Sequence, residues 1–365
     1  MKNACLLLED GVNFFAHGSF TYAQMIERAG YAVEETRIIS LKTPDTLKAS
    51  LIDFKNGYDN VFLFCKPNAF SFLKETIEET FSQEYFQGVE NGMGVYSENG
   101  KSWFLLFIGA QGESFLKSVC FPFLDKKYGL SHAKCTLRLV GADGAKLSAF
   151  LREMEERSGG KLRILHRQLY GEDCIDLLYD QTTPKMLIDE AVREVAERFG
   201  ESLYALEDTP LEKQLVDLLK LRGKKIAVAE SFTGGGVGRR IVGVAGASQV
   251  FVEGLNTYSE SSKMKRLGVS EHTLRSYGAV SKETAYEMAA GLLRTGDAQI
   301  SIATTGLAGP ESDGSGLPVG VCCIAVGIED KVFVSRYKLN GNRTEITETA
   351  INYALFLACK GLKNI

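Results

Sequence analysis

Short apolar runs alternate with helical patterns over the first 130 or so residues. The apolar runs predict buried strands at residues 4–8, 60–65 and 103–108. The apolar spacing between them predicts helices at residues 19–30, 43–55 and 68–81. Alternation of this kind indicates a parallel α/β sheet with helices on both faces. A turn-rich stretch at 86–101 predicts a hairpin connection.

The pattern changes between residues 133 and 208. It predicts a strand, a helix, two strands and a second helix, at residues 135–141, 145–159, 161–171, 173–180 and 185–199. This order is typical of a small α+β module. The segment 201–210, which ends in Pro210, is predicted to be a linker.

The remaining residues form a third pattern of strands and helices. Strands are predicted at residues 224–230, 249–258, 298–304, 318–327 and 331–339, and helices at 211–221, 281–294 and 343–361. Asn342 followed by Glu345 predicts a capping box at the start of the last helix. The apolar stripe of that helix is expected to face the sheet and consists of Ile346, Ala350, Tyr353 and Leu357. We therefore expect an α/β chain of three domains, covering residues 1–130, 131–208 and 209–365.

Composition narrows the class of protein. The 365 residues are 45% hydrophobic and 24% charged, which excludes disordered, collagen-like and coiled-coil chains. No apolar run approaches the roughly 18 residues of a membrane helix, and the N-terminal run meets acids too early for a signal peptide. The eight cysteines form no CxxC pair, so we expect buried, reduced thiols and a cytoplasmic location.

The net charge of −4 is unevenly divided. Residues 209–365 carry 19 Lys+Arg and 15 Asp+Glu, a balance of +4, whereas residues 1–208 carry 23 and 31, a balance of −8. Neither part has the basic excess of a dedicated nucleic-acid binder, although the mildly basic part would suit an anionic small molecule. The spacing of His17, His132 and His166 indicates no metal site.

The densest cluster of unusual residues follows the predicted strand 224–230 and reads Ser231-Phe232-Thr233-Gly234-Gly235-Gly236. A strand that delivers a serine to a glycine-rich turn at a helix start offers backbone N–H groups for a phosphate or a developing oxyanion. The alternative is that Ser231 or Thr233 only caps the helix. No Gly-x-Ser-x-Gly elbow and no Gly-Lys-Ser/Thr phosphate loop is present.

A serine nucleophile in this part of the chain needs a base other than histidine. Its one histidine, His272, lies in a polar helical stretch where a solvated or capping role is expected. Tyr258 and Lys263 lie where a strand ends and a helix opens. Lysine is a base only when neutral, and lowering its pKa from about 10.4 to about 7.5 costs roughly 4 kcal/mol, which burial or a nearby cation can impose. The alternative is a surface lysine on a helix.

A further glycine-rich turn follows strand 298–304 and reads Thr304-Thr305-Gly306-Leu307-Ala308-Gly309-Pro310. It stands where open α/β sheets bind ligands, at the carboxyl end of a strand. The alternative is a loop that needs special backbone angles.

Six motifs in this order resemble one known family. The motifs are AESFTGG, NTYSESSK followed by LGV, YGAVSKETA, TTGLAGP, LPVGV and GNRTEI. They are similar to the C-terminal domain of the CinA family (competence/damage-inducible protein A), over about 209–365. The resemblance implies an α/β/α sandwich with nicotinamide-nucleotide amidase activity, which hydrolyses nicotinamide mononucleotide to nicotinate mononucleotide and ammonia in NAD recycling. It also implies a homodimer and no cofactor.

The resemblance also implies roles for individual residues. Ser231 corresponds to the nucleophile and Lys263 to its base, with Tyr258 orienting or relaying the proton. Thr305 and the N–H groups near Gly234–Gly236 would stabilise the oxyanion or hold the pyridine, and Arg343 would meet the phosphate or the carboxamide. The expected substrate-binding residues are Thr233, Gly234, Gly235, Gly306 and Arg343. This sequence departs from the family pattern at three places. Asn342 replaces the usual aspartate, Leu317 replaces a lysine often found before PVG, and Val321-Cys322 replaces a Gly-Thr-Val continuation. The resemblance therefore defines the substrate less well than it defines the type of reaction.

The first two-thirds of the chain resemble the rest of a full-length CinA protein, with a molybdopterin-binding-like domain and a KH-like module. The loops that would hold phosphate and metal are replaced by CKPNAFSFLKETIEE after strand 60–65 and by IGAQGES at 108–114. We expect a degenerate, structural N-terminal domain without a metal site. Asp143 stands where a KH loop would meet phosphates, so RNA binding is not expected, and a helix start with a solvated charge is. The alternatives to the amidase are a catalytically silent scaffold and an ADP-ribose pyrophosphatase.

Overall fold

A computed structural model describes residues 1–9, 19–81, 92–311, 314 and 316–363. Its contacts divide the chain into two units. Unit 1 comprises residues 1–134, 155–165 and 176–188, and unit 2 comprises residues 135–154, 166–175 and 189–365. The two units share the residues of the predicted middle domain, so the division at 130 and 209 remains a prediction. His17 lies outside the described residues.

Unit 1 contains a five-stranded sheet in the order β2-β1-β3-β5-β4. The strands are β1 (Asn3–Glu9), β2 (Val33–Ser40), β3 (Asn60–Cys65), β4 (Gly94–Glu98) and β5 (Lys101–Phe107). The helices are α1 (Ser19–Arg28), α2 (Pro44–Gly57), α3 (Phe70–Phe81), α4 (Ala110–Phe115) and α5 (Phe121–Tyr128). The first three strands and β5 pair in parallel, whereas β4 pairs antiparallel with β5.

Alternate residues of β1 enter two different cores. Leu6 packs with α2 and α3, while Leu7 packs with α1 and α5. Successive side chains of a strand point to opposite faces, so the predicted parallel sheet with helices on both faces is confirmed. The predicted hairpin is confirmed for its described part by the β4–β5 pair, and residues 86–91 lie outside the described residues.

The sequence did not predict strand β2 or helices α4 and α5. Strand β2 lies at an edge of the sheet and most of its side chains are only partly buried or exposed. Its sequence VEETRIIS therefore lacks the continuous apolar run on which the other strands were predicted.

The middle sheet has four strands in the order β7-β8-β6-β9. Its elements are β6 (Ala133–Val140), α6 (Gly144–Arg157), β7 (Arg163–Leu169), β8 (Glu172–Tyr179), α7 (Lys185–Phe199) and β9 (Leu203–Ala205). The predicted order of strands and helices is confirmed, but β9 lies inside the segment predicted to be a linker. Asp143 Oδ1 accepts the N–H of Lys146 at 3.2 Å and Oδ2 lies 3.0 Å from Lys146 Nζ, so the predicted helix start is also confirmed.

The C-terminal part of unit 2 contains the third sheet, in the order β11-β10-β12-β13-β14. The strands are β10 (Ile226–Glu230), β11 (Phe251–Asn256), β12 (Ile300–Gly306), β13 (Val321–Ile328) and β14 (Lys331–Lys338). The helices are α8 (Leu211–Arg222), α9 (Gly236–Val242), α10 (Glu260–Leu267), α11 (Glu271–Tyr277), α12 (Lys282–Leu293) and α13 (Arg343–Lys363). Strands β10, β11 and β12 run in parallel, and β13 runs antiparallel to both of its neighbours.

Helices cover both faces of this sheet. Ala227 and Ala229 of β10 pack with α10, α11 and α12, whereas Ile226 and Val228 pack with α8, α9 and α13. The resulting α/β/α arrangement brings the carboxyl ends of β10 and β12 to one edge, where parallel sheets present their loops.

Two further predictions concern the last helix and the thiols. Asn342 Oδ1 accepts the N–H of Glu345 at 3.0 Å, and Glu345 Oε2 accepts the N–H of Asn342 at 2.7 Å, so the capping box is confirmed. All eight cysteines lie in the described part of the chain, where none is joined in a disulfide, and the predicted burial holds for all except Cys135, which is partly buried. Among the described helices, none combines the length and apolar content that crossing a membrane requires.

Candidate active site

Ser231 is the first residue after β10. Its N–H donates to the carbonyl of Thr304 on β12 at 3.0 Å, which continues the parallel pairing by one residue beyond Glu230. The residue is 7% exposed. The strand pair therefore fixes the backbone that carries this hydroxyl, at the sheet edge predicted to bind a ligand.

Lys263 meets Ser231 from helix α10. This helix begins at the N-cap Ser259, whose side chain accepts the N–H of Ser262 at 3.2 Å. Lys263 is 1% exposed, and its Nζ lies 3.0 Å from Ser231 Oγ. Burial lowers the pKa of Lys263 to about 8, against a smaller upward effect of Glu260. Since the side chain is buried, the alternative of a surface lysine does not apply.

Two carbonyl groups orient the amine of Lys263. Nζ donates to the carbonyl of Thr257 at 2.7 Å and to that of Tyr258 at 3.1 Å. A neutral amine has two N–H donors and one lone pair. With both donors held by carbonyls, the lone pair is left facing the third neighbour, Ser231 Oγ. This geometry suits proton transfer from the serine hydroxyl.

Glu230, for which the sequence motifs indicated no role, organises the turn after β10. Its buried carboxylate accepts the Thr233 hydroxyl at 2.7 Å. It also accepts the N–H groups of Gly235 and Val237 at 3.1 Å and of Gly238 at 2.8 Å. A carboxylate here satisfies the N–H groups that a helix start leaves unpaired. An acid directly before a glycine-rich helix start is the signal that could have identified it.

The glycines of the turn allow backbone angles that other residues rarely adopt. Gly234 and Gly235 have φ values of 63° and 92°, a region that favours glycine. The N–H groups of Gly234 and Gly236 donate to the carbonyls of Ser231 and Thr233, and that of Gly235 donates to Glu230. The expectation that these three groups stabilise an oxyanion is therefore corrected, because each already has an acceptor.

Two other main-chain N–H groups of the turn, those of Phe232 and Thr233, have no acceptor among the described residues and could donate to a ligand. The Thr233 side chain, expected to bind substrate, instead donates to Glu230 and lies 2.7 Å from the Thr304 hydroxyl. The donors beside Ser231 are thus main-chain groups of the two residues that follow it.

Thr305 and Gly306 lie at the end of β12. The Thr305 hydroxyl donates to the carbonyl of Ala279 at 2.6 Å, and Thr305 is buried. A Cβ on Gly306 would lie 2.5 Å from Cys322 Cβ and 3.0 Å from Phe232 Cε1, so the position has no room for a side chain. Thr305 ties the strand to the α11–α12 connection, and Gly306 permits close packing beside the turn.

Three other residues that the sequence brought into consideration for the site lie at the surface. The Tyr258 side chain is 68% exposed, and Lys263 contacts only its carbonyl. Arg343 is exposed, and its Nη1 donates to the carbonyl of Gly309 at 2.6 Å. His272 is exposed on α11, in agreement with the solvated role expected for it. Ser231, Lys263 and Thr305 are thus buried at the sheet edge, while Tyr258 and Arg343 flank it.

One buried hydroxyl at the site lacks a partner. Thr257 is 1% exposed, and its Oγ1 forms no hydrogen bond within the described part of the chain. Its neighbouring main-chain groups are engaged, since the carbonyl accepts from Lys263 and the N–H donates to the carbonyl of Glu230. Across the described residues, no group of three or more His, Cys, Asp or Glu side chains could hold a metal ion.

Comparison with known proteins associates this site with one family. Residues 208–362 match the family model of the CinA C-terminal domain. A CinA-like protein from Kosmotoga olearia is 41% identical over 163 residues, which cover 45% of this chain and 40% of that protein. A relative from Clostridium botulinum, which carries a competence-damage inducible protein name, is 29% identical over 80% of this chain and 74% of its own length.

A solved structure is also similar to part of this chain. It is a competence or damage-inducible protein from Enterobacter asburiae, with 32% identity, a TM-score of 0.41 and coverage of 42% of this chain and 96% of that chain. The present chain spans less than half of the length of the Kosmotoga relative.

Proposed function

The chain belongs to the CinA family through its C-terminal domain, and on that premise we propose that it hydrolyses the carboxamide of nicotinamide mononucleotide. The products are nicotinate mononucleotide and ammonia. The observation that carries the proposal is the buried amine of Lys263, held by two carbonyls and 3.0 Å from Ser231 Oγ. A buried lysine with a lowered pKa beside a serine hydroxyl is the arrangement that nucleophilic catalysis without histidine requires.

The reaction begins at the serine hydroxyl. Neutral Lys263 accepts the proton of Ser231 as Oγ bonds to the carboxamide carbon, whose C=O electrons move onto oxygen. When the tetrahedral intermediate collapses, the C–N bond breaks and the ammonium of Lys263 returns the proton to the departing nitrogen, which leaves as ammonia. Lys263 then accepts a proton from a water molecule that attacks the ester. That proton returns to Ser231 Oγ as the ester bond breaks and the carboxylic acid product forms.

The oxyanion needs hydrogen-bond donors that are not already engaged. The N–H groups of Phe232 and Thr233 meet this condition within the described residues. They directly follow the nucleophile, a position from which a main-chain N–H can reach the oxygen of a bound carbonyl. Thr305 contributes through position, because its proton is donated to the carbonyl of Ala279.

The alternative of a catalytically silent scaffold gives no reason for this lysine. Burying an ammonium costs free energy, and a site without a function has no need to maintain that cost. The role that the resemblance implies for Tyr258 is compatible with its position, because its exposed side chain can turn towards bound substrate. We also propose a homodimer, which sedimentation at micromolar concentration tests.

Ammonia release from nicotinamide mononucleotide tests the proposed function. Wild type, Ser231→Ala, Lys263→Met and the control Ser248→Ala, which changes an exposed serine, are compared after circular dichroism has established that each is folded. We expect ammonia from wild type and the control, and a loss of at least about a thousandfold in kcat for the two site variants. Folded wild type that releases no ammonia would contradict the amidase. Equal rates for wild type and Ser231→Ala would reject the nucleophile.

A further inference from the structure

A cavity of about 770 Å³ lies within unit 2. Its wall includes Glu260, residues 277–283, Leu317 and Arg336. Ser231 and Lys263 do not line it, but two of its wall residues lead to them. Glu260 is on the first turn of α10, three residues before Lys263, and the carbonyl of Ala279 accepts the Thr305 hydroxyl. The cavity wall thus includes residues that lie next to, or hold, the residues of the site.

Strand register places Arg336 on the same sheet face as Thr305. Thr305 of β12 is opposite Cys323 of β13, and Cys323 is opposite Arg336 of β14. Directly opposed residues of antiparallel strands present their side chains to the same face. Two strand spacings separate Thr305 from Arg336, and Ser231, at the end of β10, lies one spacing further, about 14 Å between the backbones of Ser231 and Arg336. The long arginine side chain spans part of this gap, and the remainder is the scale of a mononucleotide from its base to its phosphate.

Lys282 supplies a second cation to the part of the cavity wall that contains Arg336. It is the first residue of α12 and, like Arg336, it is exposed. Burial raises the pKa of the Cys323 thiol, and the charges of Arg336 and Lys282 both act in the opposite direction. Both cations therefore lie within electrostatic reach of the same buried thiol, at the β13–β14 end of the cavity.

The wall carries charges of both signs. Glu260 lies at the Lys263 end and raises the pKa of that lysine. Glu283 is beside Lys282 and raises the pKa of Cys323. Neither Arg336 nor Lys282 forms an ion pair with any carboxylate of the described ranges, so their charges are available to a ligand. Arg343 is differently placed, because its Nη1 donates to the carbonyl of Gly309.

We propose that Arg336 and Lys282 bind the terminal phosphate of a mononucleotide substrate whose carboxamide lies at Ser231. This inference rests on the proposed amidase function and adds the element of substrate selection, namely a phosphate held on β14, three strand positions from the serine that meets the reacting carbon. A guanidinium recognises phosphate with two parallel hydrogen bonds, and an ammonium adds a point charge. The exposed Tyr277 in the same wall offers a ring face to the pyridine or the ribose.

Calorimetric binding of two ligands to the full chain tests the site. The ligands are nicotinamide mononucleotide and nicotinamide riboside, which lacks the phosphate, and all proteins carry S231A so that no turnover occurs. We expect R336Q to weaken mononucleotide binding about tenfold or more and K282Q to weaken it several-fold, with riboside binding unchanged. The matched controls R266Q and K265Q change exposed cations of α10 outside the cavity wall and should leave both affinities as they are.

The outcomes separate this inference from the proposed function. Equal weakening of mononucleotide and riboside by R336Q, or no weakening of either, would overturn the phosphate site. The phosphate site would also be overturned if only R343Q produced the phosphate-specific loss. It would likewise be overturned if the S231A protein with an otherwise unchanged cavity wall bound no mononucleotide. Wild type that binds the mononucleotide through Arg336 but releases no ammonia would support the phosphate site and reject the amidase. Ammonia release that is independent of Arg336 in KM and kcat would reject the phosphate site and support the amidase.

Discussion

Lys263 Nζ lies 3.0 Å from Ser231 Oγ although 32 positions separate the two residues along the chain. Strand β10 presents the serine at its carboxyl end, and helix α10 turns the lysine inward after β11. The proposed catalytic pair is therefore assembled by two neighbouring parallel strands, each of which contributes one loop to the same sheet edge.

The protonation of Lys263 should control the rate. Burial lowers its pKa to about 8, and only the neutral amine can accept the serine proton. The neutral fraction rises about tenfold between pH 7 and pH 9, so kcat should rise by about the same factor and reach a plateau above pH 9. Measurement of kcat from pH 6 to 10 checks this, with Lys263→Met expected to show a low, flat profile. A flat profile for wild type between pH 7 and 9 would exclude Lys263 as the base.

Glu230 should be required for stability because its carboxylate holds the turn that carries Ser231. Glu230→Gln replaces one acceptor oxygen by an NH₂ group that faces N–H donors. We expect the free energy of unfolding to fall by roughly 2–4 kcal/mol, measured by urea denaturation. The control Glu271→Gln removes an exposed partner of Arg275 and should change stability by less than about 0.5 kcal/mol. Equal effects of the two substitutions would show that the Glu230 hydrogen bonds contribute little.

The unpaired hydroxyl of Thr257 should be dispensable for folding. Thr257→Val replaces a buried, unsatisfied hydroxyl by a methyl group of similar size, so stability is expected to increase by up to about 1 kcal/mol. The matched variant Thr304→Val removes a hydroxyl that lies 2.7 Å from Thr233 Oγ1 and should lose about 1 kcal/mol. Thermal unfolding distinguishes the two. A larger loss for Thr257→Val than for Thr304→Val would mean that the Thr257 hydroxyl has a stabilising partner.

Gly306 should tolerate no side chain. A Cβ at this position would lie 2.5 Å from Cys322 Cβ and 3.0 Å from Phe232 Cε1, which would displace the turn beside Ser231. We expect Gly306→Ala to lower kcat by at least about tenfold and stability by about 1–3 kcal/mol. Gly238→Ala is the control, because its Cβ would make ordinary contacts at 3.5 Å within a helix. Wild-type kcat in Gly306→Ala would show that the site absorbs the added methyl group without moving Ser231.

Local sequence patterns were sufficient to predict most of the strands and helices. Continuous apolar runs identified β3, β5 and β10 because both faces of these strands are buried, and Asn342 with Glu345 identified the start of α13 because a capping box involves only four adjacent residues. Strand β2 was missed because it lies at a sheet edge, where few of its side chains need to be apolar.

The sequence by itself determined the α/β class of this protein, the position of Ser231 on a glycine-rich turn, and the resemblance of its C-terminal part to the CinA family. Only the tertiary structure decided which groups of that turn are available and where Lys263 lies. The N–H groups at Gly234–Gly236 have acceptors in the turn and in Glu230, those of Phe232 and Thr233 have none in the described part of the chain, and the amine of Lys263 is buried against two carbonyls. The physical reason is that hydrogen-bond satisfaction and desolvation depend on groups brought together across the sheet edge, and local sequence does not encode which of them meet.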